Sequence, residues 1–511
     1  MQLIFSAGLI LAVVLWGLLA PASLGAFFDQ ALAAITRHFG WLYLWTVLGL
    51  VLMALLLAFS RYGSLKLGGE DDEPEFSLGA WFAMLFAAGM GIGLVFWGVA
   101  EPISHFITPP PGITARTPEA ANAAMRYSFF HWGLHPWAVY SIIALAIAFF
   151  QFRRGGAALV SVAIEALPWR WARHVSVLAN VLAVIATAFG VAASLGMGAL
   201  QINSGLHAVF GVPIGTSWQV GIIVVTTALF ISSAVSGVER GIKYLSIFNL
   251  LLAALLALAV FALGPTVTII DTFTNTLGSY ISDFVRMSLR TTPFRESGWV
   301  GDWTVFYWAW WISWSPFVGL FIARVSRGRT IREFIIGTVL APTLLAFVWF
   351  AVFGGAALHQ EIWQSVPIDA AVTADMSTAL FAMFEALPLS TLMSGVATVL
   401  VVVFFVTSAD SATLVLGMMS TGGRLDPPAR VKVMWGLLVS GVALSLLLAG
   451  GLKAVQTATI VFALPFTVVL VLMAVSLWRA IRADWLEEQR QERLLRQRMR
   501  ELLAAQSEPK R

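Results

Sequence analysis

The chain has 511 residues, of which 59% are hydrophobic and 11% charged, with a formal net charge of +4 and no cysteine. A soluble domain carries about 25% charged residues, so the composition excludes a water-soluble globular protein and requires a largely lipid-embedded one. Without cysteine there are no disulfides and no thiolate metal sites.

Apolar runs of about 20 residues, the length a helix needs to cross a bilayer, recur along the chain. They lie near 3–24, 41–60, 78–99, 126–151, 174–205, 216–236, 243–264, 303–323, 333–357, 391–419, 431–450 and 456–479. The expected fold is therefore an all-α polytopic membrane protein of twelve helices. In the first run, Ala20-Pro21-Ala22-Ser23 resembles a signal-peptide cleavage site, but no basic segment precedes Leu3. That run is read as a span.

Basic residues alternate from loop to loop. Arg61 and Lys66, Arg153 and Arg154, Arg170 and Arg173, Arg240 and Lys243, Arg324 to Arg332, and Arg424 to Lys432 fall on one side with the tail. The other side has fewer bases and includes an acidic loop with Glu361, Asp369 and Asp375. The positive-inside rule then puts both termini in the cytoplasm. Residues 271–290 mix Phe273, Leu277, Ile281 and Phe284 with polar residues. They suit an amphipathic helix on the outer surface or a soluble loop helix. The tail from Ala483 to Arg511 is dense in Arg and Glu. It reads as a solvated helix or as a regulatory arm that senses anionic lipid.

The third span contains Ala87-Ala88-Gly89-Met90-Gly91-Ile92-Gly93. Gly89 and Gly93 alone would make a helix-packing stripe. Three glycines in about one turn instead weaken the helix, and unwound backbone at membrane depth is tolerated only where it lines a cavity. The eighth span has its own expected interruption at Ser313-Trp314-Ser315-Pro316, because proline removes an N–H and crowds the preceding turn. Four spans separate the two breaks. Two five-helix halves of opposite orientation, each opening on a discontinuous helix, are the inverted repeat of many secondary transporters. The implied organisation is two accessory helices (1–60), a first repeat (77–264), a periplasmic loop (265–300), a second repeat (301–480) and a cytoplasmic tail (481–511).

Two tryptophan-dense stretches sit within these spans, Trp132 to Tyr140 and Tyr307 to Trp314. Trp310, Trp311 and Trp314 fall within about 100° of helical arc. Trp132, Trp137 and Tyr140 fall within about 140°, with Pro136 expected to bend the helix. Such rings form either an interfacial belt, the expected place of Trp303, Tyr307 and Trp308, or a cage for a quaternary ammonium group. In the tenth span, Thr407 and Ser408 offer oxygens suited to a hard cation, or hydroxyls bonded back into their own helix. Asp410 is an intramembrane acid with a functional or a structural role. His131 and His135 have a metal-compatible spacing but no acidic or thiol partner nearby in sequence.

Together these residues resemble the betaine/carnitine/choline transporter family. The match lies in Gly89 to Gly93 running into Trp97-Gly98-Val99-Ala100-Glu101-Pro102, in Trp132 to Tyr140, in Trp308 to Arg329 and in Thr407 to Ser411. The resemblance implies a leucine-transporter-like fold and a homotrimer in the bacterial inner membrane. It implies an aromatic box at Trp132, Trp137, Tyr140 and Trp311, with Trp310, Trp314 and Phe321 along the pathway and Gly89, Gly91 and Gly93 beside it. It implies a sodium site from the carbonyls of Ala87, Met90 and Phe404 and the hydroxyls of Thr407 and Ser408. Thr187 matches part of a second sodium site, but Val191 stands where a second threonine is expected and offers no side-chain oxygen.

Choline-specialised relatives tend to carry Asp at the position of Gly93. The expected activity is thus sodium symport of a zwitterion such as glycine betaine by alternating access. Choline or carnitine transport, by proton coupling or exchange, is the alternative within the family; an osmosensor or receptor is the alternative outside it. Sodium is the expected coupling ion, without organic cofactor, catalytic residue or nucleic-acid partner.

Overall fold

The computed structural model describes residues 2–89, 91–236, 239–294 and 297–507, with side chains left undescribed at 86–89, 239–243 and 504–507. Met90 lies outside the described residues, as do the side chains of Arg240 and Lys243 and the end of the tail. Among the described residues the regular structure is helical, and the one β pairing is an isolated bridge between Lys66 and Thr330.

The helices, in order, are α1 (Gln2–Leu19), α2 (Pro21–Phe59), α3 (Leu78–Gly89), α4 (Ile92–Ile107), α5 (Pro118–Trp132), α6 (Leu134–Ala148), α7 (Val160–Glu165), α8 (Ala172–Phe210) and α9 (Thr216–Ser236). They continue with α10 (Glu239–Leu263), α11 (Thr266–Ser288), α12 (Phe306–Arg324), α13 (Ile331–Trp363), α14 (Ile368–Ala374), α15 (Ala379–Glu385), α16 (Ser390–Ser420) and α17 (Ala429–Ser507). Among the described residues, 10 helices are long and apolar enough to cross a membrane. The expected twelve runs differ from these at two places. The third run is divided into α3 and α4, each too short alone, and the last two runs are joined in α17 across non-helical Gly450 and Gly451.

The packing is that of a protein in lipid. Val224, Val225 and Leu229 of α9 and Leu251, Leu255 and Leu258 of α10 are exposed at helical spacing, although they are apolar. Polar side chains turn inward, as where Thr227 of α9 donates to Ser440 of α17 at 2.7 Å. In lipid the unfavourable surface is the polar one, so the usual amphipathic arrangement is reversed.

Three expected boundaries change. The first span ends at Leu19, where Ala20 leaves helical geometry and Pro21 opens a helix of 39 residues. Proline is pre-organised for a first helical turn and its missing N–H is no loss there. The fourth span breaks at Gly133 (φ −89°, ψ −136°), between α5 and α6, and not at Pro136. Pro136 lies in the first turn of α6, where N–H groups have no intrahelical partner anyway. A Cβ at Gly133 would come within 2.5 Å of the Phe129 carbonyl oxygen, which explains the glycine.

The expected break in the eighth span does not form. α12 runs unbroken through Pro316, after a π-helical turn at Gly301–Val305. Proline deprives the carbonyl four residues back of its donor. Here the Ser315 hydroxyl donates to that carbonyl, on Ile312, at 2.7 Å, and the helix survives.

The basic loops converge at one end of the bundle. Arg153 bonds the Lys66 carbonyl at 3.3 Å and Asp484 of α17 at 3.0 Å, and Arg332 bonds the Ala58 carbonyl at 2.8 Å. Arg61 lies over the Trp485 ring at 4.0 Å. At the opposite end Arg116 pairs with Asp369, and Arg290 bonds the Pro111 carbonyl at 2.6 Å. The tail thus begins as a docked continuation of α17; farther out, Glu492 and Arg496 pair at 2.9 Å on an exposed face. α11 packs on α5 and α13 through Ile269, Thr276 and Tyr280, while Val267, Ile270, Ile281 and Val285 stay exposed.

Gly133→Ala is expected to destabilise the purified protein by about 1–3 kcal/mol, because the backbone oxygen that its Cβ meets has nowhere to go. A thermal melt in detergent checks this as a lowered midpoint relative to the unsubstituted chain.

Candidate functional site

The interruption of the third span and the bend after α5 place two sets of aromatic rings face to face. α3 ends at Gly89, Gly91 is extended (φ −151°, ψ −166°), and α4 starts at Ile92. Beside this point lies a central cavity lined by Gly91, Gly93, Trp132, Tyr140, Trp310, Trp311 and Trp314, together with Ser194, Val318 and Ser408. The two tryptophan stretches, 167 positions apart in sequence at their nearest ends (Tyr140 and Tyr307), are thus brought together.

The rings are close. Trp132 meets Trp311 edge-on at 4.8 Å between centroids, and Trp310 stacks on Trp311 at 4.9 Å. Tyr140 stands edge-on to Trp311 at 6.1 Å. Trp137 is buried behind Tyr140 at 5.6 Å and is not among the lining residues; nor is Phe321, farther along α12. The cavity is small, about 40 Å³. Gly93 is required by this closure, since a Cβ there would overlap the Trp310 ring and come within 3.2 Å of Trp132.

Backbone acceptors hold two of the indoles in place. His131 is one residue from the end of α5, where carbonyls lack intrahelical donors, and the Trp311 N–H donates to it at 3.0 Å. The Trp314 N–H donates to the Gly190 carbonyl of α8 at 2.8 Å. Their N–H groups are committed to backbone acceptors, and a cation is attracted to ring faces.

Among the residues read as a sodium site, Ser408 lies on the cavity wall and Phe404 is buried one turn earlier on α16. The Thr407 hydroxyl donates to the Val403 carbonyl at 2.8 Å. That spends its hydrogen and leaves its lone pairs available to a cation. Ala87 lies in the last turn of α3. The donor chemistry, neutral oxygens beside a helix break, fits a hard monovalent ion. Thr187 is buried with no hydrogen-bond partner for its hydroxyl among the described residues, and so is Ser313. Ser313 packs against Gly190, three residues along α8 from Thr187. Ser313 of α12 thus packs on α8 at the residue preceding Val191.

Asp410 is bonded by the Ser233 hydroxyl at 2.5 Å and is not among the cavity-lining residues, so it ties α16 to α9. His131 and His135 do not converge. His135 bonds Ser288 of α11 at 2.8 Å and stacks on Trp308. Tyr307 and Trp308 are fully buried and do not form a belt. The exposed tryptophans are Trp16, Trp41, Trp45, Trp171, Trp218 and Trp363.

One group escaped the sequence reading. The third span was ended at residue 99, but α4 continues to Ile107 and carries Glu101 inside the bundle, fully buried. Its Oε1 is 2.7 Å from Nδ1 of His131 and 3.2 Å from Nε2 of His105. Its Oε2 accepts from the Trp132 N–H at 2.8 Å and from the Tyr307 hydroxyl at 2.5 Å. The other ring nitrogen of His131 is 3.0 Å from the Thr304 hydroxyl. The available signal was Trp97 to Pro102, an acid at the end of an apolar run with two histidines farther on.

A discontinuous helix and a buried aromatic cavity with neutral oxygens on its wall define a secondary-transporter type of site. Comparison with known proteins agrees. The family described as betaine/carnitine/choline family transporter matches residues 2–486. The glycine betaine transporter OpuD of Bacillus subtilis is 48% identical over 486 residues, covering 94% of each chain. The ectoine/hydroxyectoine transporter of Virgibacillus pantothenticus is 45% identical, covering 93% of this chain and 95% of its own. A probable glycine betaine transporter of Desulfitobacterium hafniense is 43% identical, covering 94% and 97%. The chain belongs to the betaine/carnitine/choline transporter family and is a multi-pass membrane transporter, not an enzyme.

Proposed function

We propose that this protein imports glycine betaine by sodium symport through alternating access across a bacterial inner membrane. The observation that carries the reading is the cavity itself: four indole rings and a phenol beside a helix break, with no charged side chain among the described residues on the wall. Each desolvated cation–π contact contributes about 0.5–2 kcal/mol, so several rings hold a trimethylammonium without an acid. A bare cation such as choline would gain from a carboxylate on that wall, whereas a zwitterion brings its own. Two of the relatives compared are named as glycine betaine transporters. The ectoine/hydroxyectoine relative makes a cyclic osmolyte the second reading.

The cavity is narrow, and in this reading the rings part as the substrate enters. In this reading Gly91 and Gly133 are the hinges. α4 and α6 swing at them while α8 and α16 stay long and straight, and the cavity opens to one side at a time. Thr407 and Ser408, with the carbonyls of Ala87, Met90 and Phe404, would hold the coupling ion. The ion supplies positive charge where the α3 carbonyls end, fixing the break in one geometry. At 100 mV and a tenfold gradient one sodium supplies about 2.3 plus 1.4 kcal/mol, enough for a few hundredfold accumulation of a neutral solute. Thr187 and Ser313 are the oxygens a second ion would use.

The topology proposed is twelve crossings in two inverted repeats with both termini cytoplasmic. The end that gathers Arg61, Arg153 and Arg332 faces inward by the positive-inside rule, and the tail lies at the anionic lipid surface. A homotrimer is the assembly the family resemblance implies.

Uptake of labelled glycine betaine into proteoliposomes, with and without a sodium gradient, tests the reading. Trp311→Leu is expected to weaken uptake at least tenfold, and Thr407→Ala to raise the sodium concentration for half-maximal uptake severalfold. Unchanged uptake in both variants would reject the site. Gly93→Asp forces Trp310 aside and adds a carboxylate, so betaine uptake is expected to fall and the choline-to-betaine ratio to rise in a competition assay.

A further inference from the structure

Behind the aromatic cavity, Glu101 is a carboxylate whose surroundings are complete without any Lys or Arg. Each of its oxygens has two donors in reach, His131 and His105 on one, Trp132 and Tyr307 on the other. These fill the roughly four lone-pair directions an ionised carboxylate offers. The tautomers follow from the partners. His131 donates from Nδ1, so its Nε2 accepts from Thr304; His105 donates from Nε2, and its Nδ1 is buried without a partner. An ionised Glu101 held by these donors places a carboxylate charge at zero exposure, with no Lys or Arg bonded to it. A buried charge that is hydrogen-bonded but not neutralised still favours a nearby cation.

The route from this charge to the cavity is one residue long. The Trp132 N–H that meets Glu101 belongs to the same indole that lines the cavity. A donor bonded to an anion is polarised, and in a low-dielectric interior that polarisation passes along the bonded group. Electron density on the indole face rises, and the attraction of that face for a cation rises with it. The same bond fixes the ring edge-on to Trp311.

We propose that Glu101 is a positioning residue for the substrate: acting through the Trp132 N–H, it orients that indole and strengthens its hold on a quaternary ammonium. This rests on the transport reading above. Glu101, His105 and His131 also bring three metal-ligand atoms within 4.8 Å of one another. A metal ion would have to displace both imidazole donors from Oε1, so the hydrogen-bonded arrangement is favoured over a metal centre.

The test uses the full chain in detergent, with glycine betaine affinity measured in sodium by calorimetry for the unsubstituted protein, Glu101→Gln, Trp132→Phe and the double variant. The carbon isostere 3,3-dimethylbutanoate, which lacks the positive charge, is the control ligand. Glu101→Gln is expected to weaken betaine about tenfold and the isostere little, and to add nothing in the Trp132→Phe background, which has no N–H to polarise. Should Glu101→Gln not give folded protein, Glu101→Asp, which keeps the charge but withdraws it from Trp132, is read in the same cycle. Additive effects of the two substitutions, or equal losses for betaine and the isostere, overturn the proposal. Betaine affinity lost with a chelator and restored by zinc also overturns it, in favour of a metal centre. If the unsubstituted protein binds no betaine at all, the transport reading fails and this inference with it.

Discussion

A helix that breaks inside a membrane exposes backbone groups that lipid cannot satisfy, and the rest of this structure follows from how they are satisfied. At Gly133 the chain stops being helical, and the carbonyl of His131 is left near a helix end. The Trp311 indole takes it. On the other side of the break, the Leu134 N–H meets the Tyr280 hydroxyl at 3.3 Å, which ties in the amphipathic helix α11. Similar bonds recur where helices are intact, because a carbonyl has a second lone pair. Trp314 uses Gly190 and Trp349 uses Leu94 in this way. The N–H groups of Trp311 and Trp314 are spent on structure, and the ring faces are what remains for chemistry.

This division of labour lets a neutral wall attract a cation. The charge that assists it lies outside the wall, at Glu101, where four donors hold it out of contact with the cavity. Glu101 and His105 come from α4, His131 and Trp132 from α5, and Tyr307 from α12. One carboxylate thereby joins elements from both halves of the chain at the point where their aromatic stretches meet.

Much of this was legible in the sequence, and the failures have physical causes. The all-helical membrane class followed from composition, and the break in the third span from three glycines within about one turn. The break expected in the eighth span failed because Ser315 repairs what Pro316 damages, a compensation between neighbours that a proline rule does not contain. Pro136 was blamed for a bend that Gly133 makes, because proline is harmless in a first turn. Tyr307 and Trp308 looked like interfacial residues, since a ring near a span end is either at the headgroups or against another helix, and sequence does not say which. Glu101 was missed because an apolar window ends at the first charge, whereas a helix does not.

The sequence by itself determined that the chain lives in lipid, where its helices fall, which of them is weakened by glycine, and that its aromatics concentrate in two stretches. It did so because hydropathy and local backbone preference act over a few residues. Only the tertiary structure decided that the two stretches face each other, that Trp137 meets Tyr140 edge-on, and that a buried carboxylate backs Trp132. Those facts depend on which groups meet across helices, through hydrogen bonds between positions as far apart as 101 and 307, and no local preference encodes them.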